Sequence, residues 1–148
     1  MINIEKELKK YKEKGFNEEQ LLEIKTGLKN GLTKEQVESY AILDLPGCEM
    51  LDIRYAIEHE FPSEIIALMI KRKFDFLQFQ EIMSGHNKGL DICWYANPDF
   101  DYQQMEQIRL GLENDLDVSL YAKPKFTKTE MNTIYNYLLA RKKAGLND

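Results

Sequence analysis

Large apolar residues form a stripe along this chain that returns at a nearly constant interval. Phe16, Leu45, Phe74, Phe100 and Phe126 act as anchors, 29, 29, 26 and 26 residues apart. Five residues after each anchor stands another bulky apolar side chain: Leu21, Met50, Phe79, Met105 and Met131. Three further on is isoleucine every time (Ile24, Ile53, Ile82, Ile108, Ile134), and four beyond that come Leu28, Ile57, His86, Leu112 and Leu138. Steps of this size keep to one face of a helix with 3.6 residues per turn. The pattern predicts a helix behind each anchor, and repetition at this period predicts stacked units that shelter one another's apolar faces.

Start and stop signals sharpen the boundaries. Asn17, Thr33 and Thr127 each precede a Gln or Glu three residues on, the spacing of a capping box. Pro46 and Pro62 suit a first helical turn, where a missing N–H costs nothing. Gly15, Gly31, Gly89 and Gly145 fall where a helix would end in a left-handed residue. Helices are predicted near 3–14, 18–30, 34–43, 47–60, 63–73, 77–88, 101–114 and 128–144.

The links between long helices carry a near-duplicate. GLDICWYANPDF (89–100) and DLDVSLYAKPKF (115–126) share six of twelve positions, 26 residues apart. Asp91 and Asp117 would each cap one helical turn, which Pro98 and Pro124 then stop. In the first two units the link is long enough for a second helix. A small residue stands just before the fourth stripe position (Gly27, Ala56, Gly85, Gly111), which predicts close approach by a neighbouring unit's backbone. The fifth unit has Tyr137 there. The expected fold is all-α: about five helix-turn-helix units with a 26–29 residue period, in one domain over 1–148. Residues 1–15 form an N-terminal capping helix, and the repeats fall near 16–44, 45–73, 74–99, 100–125 and 126–148.

Charge changes the picture little. The chain of 148 residues has a net charge of −5, concentrated as −7 over 16–67 and −6 over 80–117, with mildly basic ends. Direct nucleic-acid binding favours a clustered basic face, so none is expected. The longest apolar runs are too short to cross a bilayer, and the N-terminus has no secretion-type apolar region, so a cytoplasmic location is expected. Cys48 and Cys93 form no C-x-x-C pair and read as buried small hydrophobes.

Chemistry is sparse. His86 and His59 lack metal-ligand spacing, and His86 reads as a partly exposed helix-end residue. Phosphate-cradling and nucleophile-elbow motifs are absent from the sequence. No catalytic residue, cofactor or metal is expected. The contact candidates are the only tryptophan, Trp94, with Tyr95 and Tyr102, and the carboxylates Asp99, Asp101, Glu113, Asp115 and Asp117. Core filling is the first reading of Trp94 and a contact role the second, because Trp and Tyr dominate binding hot spots.

One unit, carrying Phe100, Gln104-Met105, Ile108, Gly111-Leu112, Leu116-Asp117-Val118-Ser119, Tyr121-Ala122, Pro124 and Phe126, resembles helical repeats in uncharacterised proteins of phages, plasmids and integrative elements of Gram-positive bacteria. The likeness covers 74–148 well and 16–73 more loosely. It implies a setting on mobile DNA, where small accessory and counter-defence factors such as anti-CRISPR proteins occur, and it assigns no site residue. The expected function is a non-enzymatic protein-binding module. The alternatives are an inhibitor whose acidic face occupies the positively charged channel of a host nuclease, and an enzyme with an unrecognised site. The expected partner is another protein, a nucleic-acid-binding host protein or nuclease included, with self-association open and no membrane contact.

Overall fold

The computed structural model describes residues 1–146. Among them are eight α-helices and no strand: α1 (Ile4–Glu13), α2 (Glu18–Lys29), α3 (Lys34–Tyr40), α4 (Gly47–Glu58), α5 (Ser63–Ile70), α6 (Phe76–Asn87), α7 (Tyr102–Glu113) and α8 (Lys128–Lys143). Single 3-10 turns stand at Ile92–Trp94 and Val118–Leu120. The fold is all-α. No described helix is long and apolar enough to cross a membrane.

The helices begin where the caps predict. Asn17, Thr33 and Thr127 close capping boxes with Gln20, Gln36 and Glu130, and Asp75 and Asp101 do the same with Gln78 and Gln104. Each box satisfies two backbone N–H groups that a helix start would otherwise leave open, one of them the N-cap residue's own. Helix ends recur as well. Gly31 and Gly89 take positive φ fifteen residues after their anchors, and Glu60 and Asp115 take it at the same place with φ of 56°. Asp115 is therefore a helix-ending residue held left-handed, an arrangement that aspartate tolerates better than most side chains.

The chain divides into two compact units, Met1–Lys71 and Arg72–Asp148, where the sequence predicts one domain. In the first, α1 packs on α2, and α2 and α3 pack on α4, which also meets α5. In the second, α7 lies between α6 and α8, and each 3-10 turn rests on the helix before it. The fifth predicted unit differs from helix-turn-helix: only α8 forms among its described residues. The isoleucine stripe is the core, with Ile24, Ile53, Ile82 and Ile108 at most 2% exposed. Ile134 on α8 is only half-buried.

Three contacts recur at equivalent positions of different segments. The first is a glutamine clasp. Gln20 Nε2 donates to the carbonyls of Leu43 and Leu45, Gln78 to those of Pro98 and Phe100, and Gln104 to those of Pro124 and Phe126, at 2.7–3.3 Å. One buried side chain thus caps its own helix and holds the entry of the next. Glu49 stands at this place in the second segment, and a carboxylate has no N–H to donate.

The second contact corrects the small-residue expectation. Tyr40, Tyr95 and Tyr121 are fully buried, and their hydroxyls donate to the carbonyls of Glu23, Glu81 and Gln107 at 2.9, 2.6 and 2.7 Å. A Cβ at Gly27, Gly85 or Gly111 would lie inside contact distance of that hydroxyl oxygen. What needs the space is a tyrosine hydroxyl from the same segment, not a neighbouring backbone. Ala56 in the second segment has Met69, also buried, where the first segment has Tyr40. Tyr137 on α8 is 60% exposed and fills no such slot.

The third is a half-buried ion network. Arg54 bridges Glu23 (3.0 Å) and Glu58, and Arg109 bridges Glu81 (2.6 Å) and Glu113 (2.7 Å). Burial opposes the Arg109 charge, but hydrogen bonding and charge from Glu81, with charge from Glu113, leave its pKa raised.

Candidate functional site

The 3-10 turn at Ile92–Trp94 decides which of its side chains reach solvent. Asp91 caps it, its Oδ1 accepting the Cys93 N–H at 3.1 Å, and the Tyr95 N–H returns to the Ile92 carbonyl at 3.1 Å. With three residues per turn, positions 92 and 95 eclipse each other. Both face inward: Ile92 is 4% exposed and Tyr95 not at all. The two residues between them are forced outward, so Cys93 is exposed and Trp94 is 43% exposed.

These placements correct three expectations. Cys93 is not a core residue, and neither is Cys48, which is exposed near the start of α4. Trp94 does not fill the core. Tyr95 leaves the set of contact candidates, because its ring is enclosed and burial pushes its phenol well above the ordinary tyrosine range. His86 lies half-buried in the last turn of α6, as the sequence predicts.

One segment later the same geometry appears. Asp117 accepts from Ser119 N–H at 3.1 Å, Val118 and Tyr121 are buried, and Leu120 is 50% exposed. Cap backbone angles at Asp91 and Asp117 agree within 4°, as do those at Tyr95 and Tyr121. Trp94 and Leu120 therefore project from equivalent points of successive segments. Leu120 was not legible as a contact residue, since a leucine in an apolar context reads as core.

The carboxylates do not gather. Asp99, Asp101 and Tyr102 stand at the start of α7, while Glu113 ends it and Asp115 and Asp117 follow, about 18 Å away at 1.5 Å per residue. Asp101 is committed to the Gln104 N–H at 2.8 Å, and Glu113 to Arg109 and Lys88. Asp115 lies 3.9 Å from Lys142. Asp99 and Tyr102 are exposed, Tyr102 by 37%. Among the described residues no three His, Cys, Asp or Glu side chains lie together as a metal site would need. What the surface offers is an aromatic and an aliphatic side chain on a stiff turn layer, each three residues from a capping aspartate.

Comparison with protein-family models, curated proteins and solved structures finds no match.

Proposed function

We propose that the chain is a non-enzymatic protein-binding module whose contact ridge is built from Trp94 and Leu120. The observation that carries this reading is the outward placement of Trp94. A large aromatic side chain stands in water on a turn anchored by Ile92 and Tyr95, so little conformational entropy is lost when a partner covers it. The mobile-element setting implied by the repeat resemblance suits a small accessory binding factor.

The test compares what tagged wild type and Trp94→Leu retain from a lysate, Leu being the residue that Leu120 supplies in the next segment. A discrete partner should be lost, with the variant's melting temperature close to wild type. An identical retained set for both proteins would refute the ridge. The second reading is an acidic inhibitor of a nuclease, supported by the exposure of Asp99, Asp101, Asp115 and Asp117. It predicts a retained nuclease that is lost on neutralising those four residues and by moderate salt, and is indifferent to Trp94.

A further inference from the structure

One repeated position separates the outer helical surfaces of the two units. The sixth residue after each anchor precedes the stripe isoleucine by two, which places it about 160° round the helix from that side chain. In the second unit this position holds Gln80, Glu106 and Asn132. In the first it holds Leu22, 58% exposed, and Leu51, 42% exposed. The architecture accepts polar residues there, so the fold itself does not require the leucines.

The two leucines stand on adjacent helices. A Cβ on Gly47 would come 2.9 Å from Glu19 Cβ and 3.2 Å from its carbonyl carbon, so α4 starts tight against α2 at Glu19. Further along, Glu23 meets Arg54 and Asn30 meets Glu58, so the helices run parallel. Leu22, three residues past Glu19, is level with Leu51, four past Gly47. Exposed Cys48 borders Leu51 one turn back. Glu19 and Lys25 stand three residues to either side of Leu22, on one i±3 ridge of α2.

We propose that a second copy of this chain docks on this face, with two α2 helices antiparallel about a two-fold axis at Leu22. Self-complementarity is the argument. The axis sets Glu19 of each copy against Lys25 of the other and packs the Leu22 and Leu51 side chains together, as an isologous interface requires. An acidic first turn and a basic last turn also suit the helix dipole. The dipole, however, asks for no leucine between them. The proposal concerns a different surface from Trp94 and stands or falls apart from it.

Sedimentation velocity on the full chain tests it. Wild type should show a monomer–dimer equilibrium. Leu22→Gln with Leu51→Gln, which installs the second unit's own kind of residue, should be monomeric with unchanged helical content. Glu19→Lys and Lys25→Glu should each weaken the dimer on the order of 100-fold, and the double variant, which restores opposite charges across the axis, should recover most of that loss. In a Cys93→Ser background, thiol labelling of Cys48 should slow as the dimer forms. A chain that stays monomeric up to its solubility limit overturns the proposal. So does a dimer indifferent to the leucines, or a charge double no better than its singles.

Discussion

Gly85→Ala is the most informative single change in the second unit. In an ordinary helix interior, Gly→Ala stabilises by about 0.5–1 kcal/mol through lower backbone entropy in the unfolded chain. Here the added methyl would overlap the Tyr95 hydroxyl and lie 3.0 Å from its Cζ and 3.2 Å from Ile92 Cγ2. The ring is fully buried and its hydroxyl donates to the Glu81 carbonyl at 2.6 Å. It cannot yield without losing that bond, worth about 0.5–1.5 kcal/mol, and straining a packed core by about 1–3 kcal/mol. After subtracting the helix gain, the net expectation is a loss of about 2 kcal/mol, within a range of about 0.5–4.

Tyr95→Phe alone should cost about 1 kcal/mol for the lost hydrogen bond. Combined with Gly85→Ala it should cost less than the sum, because removing the hydroxyl relieves the overlap that makes the methyl harmful. Ala56 and Met69 hold the equivalent positions in the second segment. Urea unfolding followed by the fluorescence of Trp94, the only tryptophan, reports the second unit, and circular dichroism follows the whole chain. A negative coupling of about 1 kcal/mol or more is expected. A stabilising Gly85→Ala, or strictly additive costs, would refute the idea that the glycine exists to admit the hydroxyl.

Gln104→Glu keeps the cap acceptor but replaces the Nε2 donor to Pro124 and Phe126 with an anion facing two carbonyls; chemical denaturation should show a loss of about 2–4 kcal/mol. Arg109→Met leaves Glu81 and Glu113 half-buried without their shared cation and should cost about 1–2 kcal/mol in the same assay. Burial first, then the charges of Glu49 and Glu23, raises the Asp52 carboxyl pKa in the folded chain. Its ionised form therefore opposes folding above the unfolded pKa, so thermal melts of Asp52→Asn should show higher stability at pH 7 and no gain below about pH 3.

The helices and their ends were readable in the residue order because both are local. A stripe repeats every three or four residues, and a cap acts over three, so Asn17, Thr33 and Thr127 announce their helices without reference to the rest of the chain. The tyrosine hydroxyl in the Gly85 slot, which spans 14 residues to Glu81, was beyond that reach; the small residue was visible, but not what needed its space. Exposure behaved the same way. Eclipsing in a three-residue turn sends Trp94 and Cys93 outward, and only the packing of Ile92 and Tyr95 says which side of the turn is out. Carboxylates close in sequence at 99–101 and 113–117 were separated by the length of α7. The order of residues thus determined which segments coil, where each begins and which stripe turns inward. The tertiary structure alone decided which glycine admits which ring and which apolar side chains were left in water, because those outcomes depend on groups far apart in the chain meeting in space.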